Sequence, residues 1–196
     1  VKYQVPGQTW KCVEEAPGTT SNRRRTIMTL ENAFISGVHQ VALVVRDIDK
    51  ALEEYTNRMG IGPWWVRLYA PPKLTDMRIR GKEIPYSMKL AIAWTGNTMW
   101  ELIQPVDGPS IYKEFLDAHG EGLHHLQVRH EGMDFDTAIA SFTKRGCPPL
   151  MEGRMGESRF AYLQTEGPLK TVLEIVKRPL DYVRPDPDYW YPAPPE

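Results

Sequence analysis

Apolar residues recur along residues 37–178 in two rhythms, one of period two and one near 3.6, and the order in which they alternate is the first clue to the fold. Residues 38–45 (VHQVALVV) form a β-rich run. Residues 48–59 set Ile48, Leu52, Tyr55 and Met59 on one helical stripe, which Gly60 to Pro63 breaks. Residues 64–69, 87–94 and 98–103 read as strands, with Thr95-Gly96-Asn97 as the turn between the last two. Residues 109–119 predict a short linking helix, and the order then repeats. A strand is expected over 123–130, a helix over 135–145 ended by Gly146, Pro148 and Pro149, and further strands over 159–164 and 171–176.

The repetition reaches individual residues. Trp100-Glu101-Leu102-Ile103 is echoed by Leu173-Glu174-Ile175-Val176, and Val38-His39-Gln40-Val41 by Leu123-His124-His125-Leu126. The chain therefore reads as two copies of one strand-helix-three-strand module, residues 37–106 and 122–178, with a linker helix in 107–121. Residues 1–36 are polar and broken by Pro6, Pro17 and Gly18, and are expected to be an extension on the outside. In residues 179–196 the prolines argue against regular structure, yet Tyr182, Tyr189, Trp190 and Tyr191 are too apolar for a free linker. That tail is expected to lie over the body or over a partner subunit.

Side chains two apart share a strand face, so Gln40, Ala42 and Val44 point one way and His39, Val41 and Leu43 the other. By the same count His125, Gln127 and Arg129 lie opposite His124, Leu126 and Val128. A carboxylate or imidazole within an apolar strand is costly to bury unless something binds it. Four such polar positions, Gln40, Glu101, His125 and Glu174, recur at equivalent places in the two modules and suggest one shared cation.

The segments HQVALVVRDIDKALEEY, GNTMWELIQP, GPSIYKEFLDAHGEGLHHLQV and TVLEIV resemble the vicinal oxygen chelate superfamily, the glyoxalase fold, and within it especially methylmalonyl-CoA epimerases. The resemblance covers about residues 37–177. It implies an α+β protein in which two βαβββ modules form a curved, cup-shaped mixed sheet, with one ligand from the first and last strand of each module holding a divalent cation. Carried over, the metal ligands are Gln40, Glu101, His125 and Glu174. His39 and His124 then fall behind the site as structural neighbours. Glutamine at the first position differs from the histidine of the epimerases and resembles the Gln/Glu/His/Glu set of animal-type glyoxalase I. Two carboxylates, one imidazole and one amide oxygen suit Zn, Ni, Co or Mn.

A cation chelating two substrate oxygens stabilises an enolate and eases removal of a proton beside a carbonyl. The expected activity is a metal-dependent isomerase, epimerase or lyase acting on a small carbonyl or acyl compound. Glu174 and Glu101 are the candidate bases, and Glu83 a third by analogy with the epimerases. Arg129 and Gln127 are either substrate contacts or exposed strand-end residues. The alternatives are an iron dioxygenase, such as a ring-cleaving one, or a non-catalytic binder of the same fold.

Composition narrows the partners. Lys plus Arg number 24 against 25 Asp plus Glu, which gives no field to gather nucleic acid or an acidic membrane. The cluster Arg23-Arg24-Arg25 reads as a solvated loop. Two cysteines, Cys12 and Cys147, make neither a thiolate cage nor a disulfide framework, and no apolar run approaches a membrane span, so a cytoplasmic protein is expected. Exposed strand edges and the aromatic tail favour a homodimer.

Overall fold

The computed structural model describes residues 35–130 and 133–195. The expectations for the extension before Ile35 and for the Arg23 to Arg25 cluster lie outside the described residues.

The first half of the chain contains β1 (Ile35–Val44), α1 (Ile48–Met59), β2 (Trp64–Tyr69), β3 (Leu74–Ile79), β4 (Lys82–Glu83), β5 (Ser87–Thr95) and β6 (Thr98–Asp107). The linker helix α2 (Ile111–His119) follows. The second half has β7 (Gly122–His130), α3 (Phe135–Lys144), β8 (Pro149–Met155), β9 (Ser158–Leu163), the single turn α4 (Glu166–Leu169) and β10 (Val172–Lys177), and β11 (Tyr189–Tyr191) closes the chain.

All strands join one sheet in the order β11-β2-β5-β6-β1-β7-β10-β9-β8-β3-β4. Its centre is the predicted pair of modules: β1 runs parallel to β6, β7 runs parallel to β10, and β1 meets β7 antiparallel. The helices start where the sequence can cap them. Asp47 accepts from the Lys50 amide, Ser110 from Lys113, and Asp134 from Asp136 and Thr137, while Gly60 ends α1 in the left-handed conformation at φ 66°. The apolar stripe of α1 (Ile48, Leu52) packs with Trp64, Val66, Ala91 and Leu102 on one half, and that of α3 (Phe135, Ala138, Phe142) with Val128, Ala161 and Ile175 on the other. The opposite, inner face carries the largest cluster, including Trp65, Tyr69, Met88, Tyr112, Phe160 and Tyr162.

Four strands were not expected from the pattern. β8 is the missing third strand of the second module. The hairpin β3–β4 arises in the first module but pairs with β8 of the second, and β11 arises after the second but pairs with β2 of the first. β11 corrects the expectation that nothing regular follows Arg178. Its three residues sit between Pro187 and Pro192, long enough for only a short ladder. The open strand edges on which self-association was expected are thus covered within the chain. The new outermost strands are two or three residues long, a poor template for further pairing. No helix among the described residues is long and apolar enough to cross a membrane.

Candidate metal and active site

Pairing register brings the predicted residues to one place. Gln40 stands opposite Gln127 and Ala42 opposite His125 across β1–β7, Ala42 beside Glu101 across β1–β6, and Gln127 beside Glu174 across β7–β10. Directly paired residues share a face, so all the polar members point to the inner side. A register shift between Val38 and Gln40 leaves His39 without a paired partner. Its imidazole packs edge-on against Trp94 instead of entering the site.

The four expected ligands are buried and converge. His125 Nε2 lies 3.6 Å from Glu101 Oε2 and 3.6 Å from Glu174 Oε2, and 3.4 Å from Gln40 Nε2. Donors held about 2.0–2.2 Å from one tetrahedral ion stand roughly 3.3–3.6 Å apart, so these separations fit a shared cation. Among the described residues no group of three or more His, Cys, Asp or Glu side chains already stands in ligating geometry. In the hydrogen-bonded arrangement Gln40 Nε2 instead donates to Glu101 Oε2 at 2.5 Å. Turning the Gln40 amide over would present oxygen to the centre with almost no change of shape, at the cost of the hydrogen bonds it now makes with Glu101 and Gln127. By the chemistry of the donor set, one imidazole, two carboxylates and one amide, the residues fit a divalent ion.

The surroundings fix these groups. Gln127 is buried and commits both amide hydrogens, donating to Glu174 Oε2 at 2.8 Å and to Gln40 Oε1 at 3.2 Å. It is therefore an orienting residue and has no hydrogen left for substrate. His124 Nδ1 stands 3.0 Å from His125 Nδ1, and its ring is held among Tyr112, Phe115 and Tyr162. Burial and then the neighbouring His125 depress the His124 pKa to about 2. A neutral His124 accepting from His125 Nδ1 turns His125 Nε2 to the centre, where its hydrogen faces Glu174 and would give way to a bound cation. Burial, reinforced by the charge of Glu174, holds Glu101 well above the usual carboxylate range. Burial also pushes Glu174 upward, but hydrogen bonds and charge from His125, with hydrogen bonds from Gln127 and Tyr162, outweigh it and keep it low. The two shifts run in opposite directions, so Glu174 is the readier of the two carboxylates to carry negative charge.

Above the ligands lies a cavity of about 40 Å³, lined by Trp65, Tyr69, Met99, Ser158 and three residues that follow β10: Arg178, Tyr182 and Arg184. The last three were missed from sequence because they fall in the proline-rich tail. Trp65 and Tyr69 form an aromatic wall of this cavity. Trp64 is buried on the other face with α1, Trp100 packs beside Tyr55 of α1, and Trp94 is exposed.

Two candidates are not in this cluster. Glu83 lies on the exposed outer strand β4, where it pairs with Arg78 at 3.3 Å. Nothing brings it to the ligands. Arg129 is exposed, with Nη2 2.9 Å from His39 Nδ1, and lines an adjoining groove that shares Gln127 and Arg178 with the cavity.

A cup built from two βαβββ units, with polar residues of their first and last strands meeting inside, defines the glyoxalase fold. The chain belongs to the glyoxalase/bleomycin resistance protein/dioxygenase superfamily, whose sequence profile matches residues 39–162. Among solved structures, methylmalonyl-CoA epimerase from Mycobacterium tuberculosis is similar with a TM-score of 0.54 at 20% identity, covering 78% of this chain and 94% of its own. A hypothetical protein from Bacillus halodurans C-125 gives 0.57 at 15% identity, covering 76% and 98%. A Streptomyces coelicolor methylmalonyl-CoA epimerase variant in complex with 2-nitronate-propionyl-CoA gives 0.50 at 19% identity, covering 77% and 99%. A search of curated proteins finds no match.

Proposed function

We propose that the protein is a metal-dependent isomerase, epimerase or lyase that removes a proton beside a carbonyl of a small acyl or carbonyl substrate. The observation that carries this reading is the convergence of Gln40, Glu101, His125 and Glu174, from the first and last strands of both modules, at the floor of one cavity. These four would hold one divalent cation, Zn, Ni, Co or Mn. When bound, such an ion polarises a carbonyl oxygen and stabilises the enolate charge.

The chain's own residues supply the rest. His125 is oriented by His124 and presents Nε2 inward. Glu174 Oε2 faces the cavity and accepts from Gln127, which aims it. Glu174 takes the substrate's α-proton. Glu101, across the same floor, completes the hold on the metal, and Glu174, once protonated, is the acid that returns the proton to the substrate. Trp65, Tyr69 and the tail wall the cavity around the reacting carbon. Similarity to epimerases whose complexes contain acyl-CoA supports an acyl substrate.

The test is solvent-deuterium exchange at the carbon beside the carbonyl, measured over a panel of small 2-oxo acids, 2-hydroxy acids and acyl thioesters. Glu174→Gln keeps an oxygen donor and the volume but removes the base. Metal content should fall modestly while exchange falls by roughly two or more orders of magnitude. Exchange at the wild-type rate in Glu174→Gln rejects this residue as the base. No exchange with any compound that binds tightly favours a binding protein instead.

A further inference from the structure

Arg58, Arg78, Arg80, Arg154 and Arg159 each form an ion pair with a carboxylate. Arg46 and Arg67 give a guanidinium hydrogen to the Leu116 and Asp186 carbonyls respectively, and Arg129 contacts His39. Arg178 and Arg184, which follow β10, have no carboxylate partner among the described residues, although the chain carries as many acidic as basic side chains to within one. Both line the cavity above Glu101 and Glu174. The Arg184 guanidinium lies 5.3 Å from the Trp65 ring centroid, with Nη2 3.8 Å from Met99 Sδ. That of Arg178 lies 5.6 Å from the Tyr182 ring centroid. A guanidinium presents a fork of donors suited to an oxyanion, and aromatic faces and a thioether leave most of that fork unused.

Arg184 is held in place. Trp65 Nε1 donates to the Pro185 carbonyl at 3.0 Å, the Leu68 amide to Asp188 at 2.7 Å, and the Asp188 amide to the Val66 carbonyl at 2.8 Å. These bonds latch the segment to β2, so the arginine is part of a wall. A second observation points to a ligand in the same cavity: Ser158 Oγ lines it, is 3% exposed as a residue, and has no hydrogen-bond partner. A buried orphan hydroxyl costs about 1–3 kcal/mol, which a ligand oxygen would relieve.

We infer that Arg184, assisted by Arg178, is the specificity-determining anion contact of this site, and that the substrate carries a carboxylate close to its reacting carbonyl. The inference rests on the function proposed above. Glu101 and Glu174, both ionised once they hold a metal, offset the two guanidiniums, so a bound divalent cation leaves the cavity with two net positive charges that an anionic substrate neutralises. Size selects among anions. About 40 Å³ is room for a few waters, at about 10–15 Å³ each, which suits a small planar carboxylate better than a bulky anionic group. Arg184 follows the second module, in the tail that crosses β2, so the contact is not made by the two modules alone.

The test is calorimetric titration of the metal-loaded full chain with oxamate, a carboxylate beside a carbonyl that cannot enolise, against neutral oxamide and inorganic phosphate. Oxamate should bind, and oxamide at least about tenfold more weakly. Arg184→Gln should weaken oxamate by roughly tenfold to a hundredfold, the scale of a charge-assisted hydrogen bond, with Arg184→Lys recovering part. Arg154→Gln, which alters an exposed ion pair, should bind as the wild type, and thermal melting reports whether each variant is folded. If Arg184→Gln loses its fold, Arg178→Gln and Arg184→Lys carry the comparison. Equal binding of oxamide, no binding of oxamate, tighter binding of phosphate, or wild-type affinity in the folded Arg184 variants would each overturn the inference. Arginine-dependent oxamate binding without any proton exchange would uphold the anion site and reject the proposed reaction. Proton exchange indifferent to Arg184 would do the reverse.

Discussion

Gln127 stands between two groups that both need a donor, and it spends one amide hydrogen on each of Gln40 and Glu174. Leucine at this position would keep the volume but take a donor away from each of two buried acceptors. Gln127→Leu is expected to destabilise the chain by about 1–3 kcal/mol, read as a lower urea midpoint at constant slope. An unchanged midpoint would mean that water replaces the amide and that Gln127 does not hold Glu174. At this scale the candidate ligands stand out because a carboxylate inside an apolar strand is conspicuous: Glu101 sits in WELI and Glu174 in LEIV. Gln127 was legible only as a face, since nothing in a sequence says that both its hydrogens are already used. Arg178 and Arg184 were not legible at all. Among prolines they have no periodicity, and what makes them part of the site is the path of the tail across β2.

At the scale of elements, the strands read correctly are those with unbroken apolar alternation and a turn at each end. β3 (LTDMRI) carries Asp76 and Arg78 in its middle, lies just after Pro71-Pro72, and has Asp76 at φ 51°, so no period survives. β8 begins on Pro149 and contains Gly153, whose absent side chain is required: a Cβ there would stand 2.5 Å from Phe160 and 2.9 Å from the Tyr86 hydroxyl. The short β11 is held at its start by a clip that links Tyr189, Lys89 and Asp49 of α1. Partial burial of Asp49 opposes its charge, but the hydrogen bonds from Tyr189 and Lys89, with the lysine's charge, outweigh it and lower the Asp49 pKa below 3.8. A depressed carboxylate contributes stability that is present above its unfolded value and lost as pH falls through the folded one. β11 should therefore stay docked at neutral pH and loosen below about pH 4, earlier than the central strands, with faster amide exchange at Trp190. In Asp49→Asn this acid step should be missing. A step of equal size in that variant would assign the loosening to another group.

At the scale of the molecule, the candidate ligands belong to both modules, Gln40 and Glu101 to the first and His125 and Glu174 to the second. A cation bound there ties the halves together across the β1–β7 junction. An ion present at about a hundred times its dissociation constant adds about 2.7 kcal/mol. For a chain of this size the melting temperature should rise by roughly 5–10 °C on adding the preferred metal, return with chelator, and not rise in Glu101→Ala/Glu174→Ala. A shift of the same size in the double variant would place the ion elsewhere. The modular plan itself was legible, because the echoed tetrapeptides are a property of the sequence. The exchange of edge strands between the modules was not, since it depends on which free edge a short segment reaches.

That exchange bears on how the chain is made. As the polypeptide emerges from the ribosome, β1, α1, β2, β5 and β6 can assemble as soon as residue 107 is out, but the outer side of β2 has no neighbour until residues 189–191 appear. The β3–β4 hairpin is in the opposite position: it is synthesised early and must wait for β8, more than seventy residues later, before it has a strand to join. Until then the nascent first half carries a bare edge and a hairpin with no dock, and these are the surfaces through which two growing chains could pair wrongly. The bare edge of β2 is removed only when β11 arrives, more than a hundred residues after β2 itself.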